Sequence, residues 1–577
     1  MKTPPVRRKS PVRAWAAISF AVLSCESGAS HESASDVALS DAGADIDDVL
    51  VDTTIALPDA VGDTADTAGE TGADVAGDSS EGDADDEDTS VPPCTPGVDG
   101  CPALVEPVVV SVGEYGRILL RGKVVTPGSV FDGEVLVVGE TIACADLSCS
   151  ERPEAVGATV VDANGMIFPG LIDAHNHMLF GIFDISDWPI EKTYDYHEEW
   201  ADAPGYEAVR DAYDFMIESG QAGLKCEVLK YGEVKALIGG TTAVVGQPKG
   251  TALKCFGSLA RSLDGGFNDL PKLATPPVET PAPCTASASN DHIQTSFNPK
   301  VTASYATGIL ENLASCKTWT WHVHAGEGEW DNPFAIEEFE IMKQRGLDVP
   351  QTAVVHGNAF GTAEFEHMAE RGMNLIWSPR CNITLHGQTV RIDLLKQIAG
   401  PPITVALGAD WSLNGSTNLL DELAFADAHN LAELGGVLTD ADLVDMVTIN
   451  AAKVLAVDEQ LGSIEAGKLA DLIIVSGDDS DPYRALVRAR PANIMMTMVG
   501  GVMLYGPPAL QSAMPGGCEP IQICGQSRLI CVAEASSVDK FDQTLETIRG
   551  ALETGLSQYD AVAGTNFMPL SPLVLCP

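Results

Sequence analysis

The sequence predicts an α/β chain: a TIM-like (β/α)8 barrel inserted in a small β-sandwich, with a disordered N-terminal tether and a C-terminal helical extension. Three observations carry that reading. Short β-rich runs with Gly turns occupy 107–165 and return within 456–510, as in Arg117-Ile-Leu-Leu-Arg-Gly-Lys-Val-Val-Thr and Ile494-Met-Met-Thr-Met-Val. Two β-rich flanks so far apart can pair around a central insert. Between them, apolar runs of strand length alternate with helical stretches, which argues a parallel α/β architecture. The insert, 166–455, has the length that suits an eight-stranded barrel with insertions.

Composition narrows the function. The 577 residues include 34 Lys+Arg against 82 Asp+Glu, a formal net charge of −48. So acidic a chain argues against nucleic acid and anionic membrane surfaces as partners, because like charge repels. Self-association into a homo-oligomer stays open. The apolar fraction of 45% supplies a sizeable core. No apolar run reaches the ~20 residues of a spanning helix.

Residues 1–25 read as a signal peptide. Lys2, Arg7, Arg8, Lys9 and Arg13 form a basic stretch, and Ala14 to Ser24 a short apolar one. The stretch ends in Val22-Leu23-Ser24-Cys25, which resembles a bacterial lipobox. The expectation is an exported lipoprotein of the bacterial envelope, touching the membrane only through a lipid anchor at Cys25. Residues 26–106 read as an acidic tether: 20 acidic residues and no Lys or Arg lie between 26 and 92. Like charges and little apolar surface keep such a segment from folding.

The β-rich flanks 107–165 and 456–510 are expected to form the composite sandwich, the first as a small antiparallel sheet. Barrel strands are expected at Met166-Ile-Phe-Pro-Gly-Leu-Ile, Thr242-Ala-Val-Val-Gly, Thr320-Trp-His-Val-His, Ala353-Val-Val-His, Leu375-Ile-Trp-Ser and Val405-Ala-Leu-Gly. Residues 511–577 read as a Cys-containing helical extension, with helical spacing from Val538 to Tyr559. Cys94 with Cys101, Cys144 with Cys149, and the cluster Cys518, Cys524 and Cys531 are disulfide candidates whose pairing sequence does not fix.

The residues that carry chemistry follow those strand runs. In Asp173-Ala-His175-Asn-His177, two histidines at i and i+2 can face one side and share a metal. His322-Val-His324-Ala-Gly-Glu327, His356-Gly and Gly408-Ala-Asp410-Trp411 follow in order. His, His, His and Asp at separate strand ends satisfy a catalytic ion that keeps one position open. Such an ion brings the pKa of a water toward ~7, and Glu327 is placed to move protons to a leaving group. His322 lies on the same inner face, and His386 and Trp411 lie where they could meet substrate.

These motifs together resemble the amidohydrolase superfamily, within it the branch of cytosine, guanine and S-adenosylhomocysteine deaminases and triazine hydrolases. The matching stretches are Gly170-Leu-Ile-Asp-Ala-His-Asn-His, His324-Ala-Gly-Glu327, Val355-His356-Gly, Ser378-Pro-Arg-Cys-Asn382-Ile-Thr-Leu385-His-Gly, Leu407-Gly-Ala-Asp410-Trp, Ile449-Asn-Ala-Ala452 and Gly462-Ser-Ile-Glu-Ala-Gly-Lys-Leu-Ala-Asp471. The resemblance implies that His175, His177, His324 and Asp410 bind one divalent ion, zinc with iron as the alternative. It implies that Asp410 takes a proton from the attacking water, Glu327 passes it to the substrate nitrogen, His356 polarises the scissile bond, and Asn382 supports the pocket wall. It favours a single metal, with Lys249 a weak candidate for a metal-bridging lysine. The implied activity is hydrolysis of a non-peptide C–N bond in a small-molecule substrate by hydroxide generated at the metal, with deamination of a heterocyclic amine foremost. His177-Met-Leu-Phe-Gly is similar to imidazolonepropionase, so cyclic-amide opening is the alternative, and a non-catalytic surface binding lipoprotein the rival. The stretch 183–310, with its Pro-rich loop at 271–283, matches no named deaminase and is expected to supply lids and walls.

Overall fold

The computed structural model describes residues 104–246, 255, 257, 259–264, 270, 293–533 and 543–576. The expected signal peptide, Cys25 anchor, most of the tether, Cys94, Cys101, Lys249 and the Pro-rich loop lie outside the described residues. Among the described residues no helix is long and apolar enough to cross a membrane.

Five strands open the described chain: β1 (Val108–Ser111), β2 (Arg117–Thr126), β3 (Ser129–Val138), β4 (Thr141–Asp146) and β5 (Thr159–Pro169). Eight short strands follow: β6 (Leu171–Asp173), β7 (Thr241–Val244), β8 (Arg261–Ser262), β9 (Ile293–Ser296), β10 (Thr320–Ala325), β11 (Thr352–His356), β12 (Asn374–Trp377) and β13 (Val405–Leu407). The last five are β14 (Leu472–Val475), β15 (Ile494–Val499), β16 (Val502–Gly506), β17 (Glu519–Ile523) and β18 (Gln526–Ile530).

The two β-rich flanks do meet. One ten-stranded sheet runs β17-β18-β16-β15-β14-β5-β2-β3-β4, with β1 on β5. The junction is the antiparallel pair β5–β14, where Leu472 faces Pro169 and Val475 faces Met166. The first flank is not wholly antiparallel, because β2 and β5 run parallel. The extension is not purely helical either. Its hairpin β17–β18 adds to the sheet edge through β16, before the helix Leu545–Ala563.

The run Met166-Ile-Phe-Pro-Gly-Leu-Ile is two strands rather than one. Its first half ends β5 and its second half is β6. Gly170 makes the break: a Cβ there would lie 2.1 Å from Thr242 Oγ1 on β7, so only glycine lets the chain pass from sheet to insert.

The eight inserted strands are all parallel to their neighbours. They form ladders β6-β7-β8 and β9-β10-β11-β12-β13. The ladders join where β6 ends beside β13. The Ala174 amide donates to Leu407 C=O (3.2 Å), and the Asp410 amide to His175 C=O (2.9 Å). No ladder joins β8 to β9 among the described residues.

Insert and sheet share one apolar core, which includes Phe168 and Ile474 from the sheet and Trp321 and Trp377 from the insert. An ion pair ties the two as well. Arg261 on β8 donates from Nε to Asp471 Oδ2 (2.8 Å) and from Nη2 to Oδ1 (3.2 Å), with both side chains about 5% exposed. Asp471 also accepts the Gly500 amide (2.8 Å). Breaking one side of such a pair strands a buried charge. Asp471→Ala should therefore lower unfolding free energy by about 3–5 kcal/mol in denaturant titration. A loss below about 1 kcal/mol would show that the pair does not tie the insert to the sheet.

Candidate active site

The strand ends that join β6 to β13 also gather the candidate residues. Gly408 allows this approach, since a Cβ at that position would lie 2.7 Å from the Cβ of His175. Asp173 closes the junction: its carboxylate accepts the Ala409 amide (3.0 Å) and Asn176 Nδ2 (2.9 Å). Burial pushes the pKa of Asp173 up to about 7, against those donors.

His175 Nε2 lies 3.0 Å and His177 Nε2 3.4 Å from Asp410 Oδ1. His324 enters from β10, its ring centroid 4.6 Å from that of His175 and 5.7 Å from that of His177. Both ring nitrogens of His324 are buried without a hydrogen-bond partner. Two sets of donor atoms come close enough to share an ion: His175, His177 and Asp410, and His175, His324 and His356. Burial depresses the pKa of His175 to about 4, and that of His324 well below its ordinary value. Both rings are neutral, the state in which imidazole ligates. Asp410 is held ionised: burial opposes this, but the imidazoles of His175, His356 and His177 outweigh it.

His356, the last residue of β11, and Asp410, just past β13, lie in the left-handed region, at φ 72° and 62°. Non-glycine residues held there cost about 1–3 kcal/mol each, and such outliers cluster at functional sites.

A hydrogen-bond chain sets the tautomer of His356. The Trp377 indole can only donate, and it donates to Thr389 Oγ1 (2.7 Å). Thr389 then donates to Asn382 Oδ1 (3.2 Å). Asn382 Nδ2 is left to donate to His356 Nδ1 (2.9 Å). In the neutral ring the proton therefore sits on Nε2, which faces Glu327 Oε2 at 3.6 Å. With that proton in place His356 can donate but not ligate, which leaves His175, His177 and Asp410 from one set and His175 and His324 from the other.

Glu327 follows β10 and is 6% exposed. Burial alone would raise its pKa, but the imidazoles of His356 and His386 beside it bring it down to about 2. His386 closes the helix Pro379–His386; its Nδ1 donates to Tyr194 C=O (2.7 Å) and its Nε2 lies 3.6 Å from Glu327 Oε1. His322 is fully buried beside His175, ring centroids 5.3 Å apart, and precedes His324 on β10. It joins neither donor set. The Trp411 ring lies 5.5 Å from His177, with its indole bonded to Asn414. Trp377 is fully buried among the core residues rather than open to a ligand.

Four contributors carried no role in the sequence reading. Asp173 stood in the quoted motif two residues before His175. Thr389 and Glu338 lie outside every motif. Trp200, whose indole donates to Glu327 Oε1 (3.0 Å), lies in the unmatched stretch.

The amidohydrolase family model matches residues 286–504. The chain contains an amidohydrolase-family domain. It is a hydrolase acting on carbon–nitrogen bonds. It is 27% identical over 341 residues to the 5-methylthioadenosine/S-adenosylhomocysteine deaminase of Teredinibacter turnerae, covering 55% of this chain and 73% of that one. Two solved structures share the fold. A triazine hydrolase variant superposes with TM-score 0.56 at 19% identity, over 76% of this chain and 99% of that one. A zinc-bound adenosine deaminase from Xanthomonas campestris gives 0.53 at 17%, over 78% and 99%.

The donor set fits a divalent cation. Neutral imidazoles and one ionised carboxylate are the ligands such an ion takes, and the unpartnered nitrogens of His324 leave a polar group unsatisfied without one. Purified protein should carry about one divalent ion per chain by metal mass spectrometry, and His324→Ala should carry less than a tenth of that with its circular dichroism unchanged. Full metal content in the variant would remove His324 from the site.

Proposed function

We propose that this chain hydrolytically deaminates a heterocyclic amine, using one divalent ion held by His175, His177, His324 and Asp410. The observation that carries the reading is the convergence of those four groups beside the buried carboxylate of Glu327. The deaminase relative supports amine rather than cyclic-amide hydrolysis. We read the eight parallel strands as one barrel inserted in the sheet, because they run in chain order and β6 is bonded to β13.

A divalent ion bound there would supply Lewis acidity and bring a water's pKa toward ~7. Zinc is favoured over iron because the set is three imidazoles and a carboxylate, and the Xanthomonas deaminase has zinc bound. The protein's own groups do the rest. Asp410, ionised and 3.0 Å from His175, accepts a proton from the attacking water. The His356 Nε2 proton is donated to the atom that gains negative charge. Glu327, ionised at rest, passes the water's first proton to the ring nitrogen beside the attacked carbon, then takes the proton of the newly bound hydroxyl and carries it to the departing amine. Oxygen bonds to the ring carbon, the exocyclic C–N bond breaks, and ammonia leaves with its electron pair.

We also propose that the protein is exported and held by a lipid at Cys25. Four disulfides among the described residues support an oxidising compartment: Cys144–Cys149, Cys226–Cys255, Cys518–Cys531 and Cys524–Cys576.

Ammonia release should be assayed on 5-methylthioadenosine, S-adenosylhomocysteine, adenosine, guanine, cytosine and aminotriazines. We expect one of these classes to be turned over, and Glu327→Gln to lower kcat by about 10²–10⁴ with metal content intact. Normal turnover in that variant would remove Glu327 from the proton path. Expressed in a bacterial host, the full chain should partition into detergent and its Cys25→Ala form into the aqueous phase; a variant still wholly in detergent would remove the anchor.

A further inference from the structure

The stretch that matches no family motif covers the site. Trp188, Trp200 and Tyr206 pack ring against ring with Trp411. Centroids are 5.3 Å apart for Trp200–Trp411, 5.6 Å for Tyr206–Trp411, 6.2 Å for Trp188–Trp411 and 5.1 Å for Trp200–Tyr206. The stretch is pinned to the loop that bears Glu327. Tyr196 forms an antiparallel bridge with Gly328, and the His197 amide donates to Glu327 C=O (3.3 Å). Buried Glu338 accepts Tyr196 Oη (2.7 Å), His197 Nε2 (2.9 Å) and the Gly326 amide (3.0 Å), clamping both chains together.

This placement divides the two oxygens of Glu327. Oε1 accepts the Trp200 indole at 3.0 Å and has His386 Nε2 at 3.6 Å. Oε2 faces His356 Nε2 at 3.6 Å. A glutamate's terminal torsion is broad and roughly two-fold, so an unanchored carboxylate would exchange its oxygens freely. An indole N–H bonded to a carboxylate is charge-assisted and directional, and it favours one orientation.

We propose that Trp200 is a positioning residue: its indole N–H holds Oε1 of Glu327, so that Oε2 alone faces the reacting atoms. The catalytic half of this inference rests on the proposed deamination; the contact itself does not. The cover and the proton-carrying carboxylate are thereby one unit, because Trp200 belongs to both.

Two measurements test it on the full chain. With ¹⁵N-labelled tryptophan, the Trp200 indole resonance is identified by its loss in Trp200→Phe. We expect Glu327→Gln to move that resonance and speed its hydrogen exchange, while the Trp411 indole, bonded to Asn414, moves less. A Trp200 resonance that stays in place would overturn the proposal. On whichever amine releases ammonia, Trp200→Phe should lower kcat about ten- to a hundredfold, with KM within about twofold and metal content unchanged. In the Glu327→Gln background the same change should add less than about twofold, since a group that acts through Glu327 has nothing left to act on. Equal losses in both backgrounds, or a rise in KM alone, would also overturn it. If the wild type releases ammonia from none of the amines, deamination fails, and the indole resonance still decides the contact.

Discussion

The close approach of β6 and β13 is the constraint on which the site depends. Gly408 leaves room for His175, and the paired amides at Ala174, Asp410 and His177 hold the two strand ends in register. From that seam His175, His177 and Asp410 face β10, which brings His324 and Glu327. A slip of one residue along either strand would separate the carboxylate from the imidazoles. The left-handed backbone at Asp410 is tolerated because its amide and carbonyl are both bonded to the segment that follows β6, at His175 and His177.

Charge explains why these groups gather. His175, His177, His322 and His324 are all pushed toward the neutral form, chiefly by burial. Asp410 and Glu327 stay ionised in the same volume. Buried carboxylates without compensation are costly. Asp173 escapes that cost by its raised pKa, which leaves it partly protonated near neutral pH. Asp410 and Glu327 have no such outlet; a divalent cation held there would add to the compensation that the imidazoles give and would take up one bare nitrogen of His324.

The chemistry was legible in the sequence because it is local. His175 and His177, or His324 and Glu327, sit a few residues apart, and strand and turn geometry alone aims them together. Alternating apolar runs likewise announced the parallel strands. What stayed hidden arises from contacts across long gaps. Trp200 meets Glu327 over 127 residues, and Arg261 meets Asp471 over 210. The break at Gly170 was hidden for another reason: Met166 to Ile172 is continuously apolar apart from Pro and Gly, and only the proximity of Thr242 shows that two strands are needed. Cys518, Cys524 and Cys531 looked like one local cluster, yet Cys524 pairs with distant Cys576.

The insert's own ladders are too short to carry it. β8 has two residues, and β6 and β13 three each. Around β7 and β8 other ties take over. Cys226–Cys255 links the helix Lys225–Ile238 to the chain before β8, and Arg261 anchors β8 to the sheet. The C-terminal segment reaches the same helix: Tyr231 Oη donates to Ser571 C=O (2.6 Å) and Lys235 Nζ to Ser571 Oγ (2.8 Å). The Ser571 amide in turn donates to Ile182 C=O (3.1 Å), five residues past His177. The extension thus braces the chain between the first pair of histidines and the aromatic cover. Such bracing lets short strands hold a charged, strained cluster in one geometry beneath a cover that is tied to it through Trp200 and Glu338.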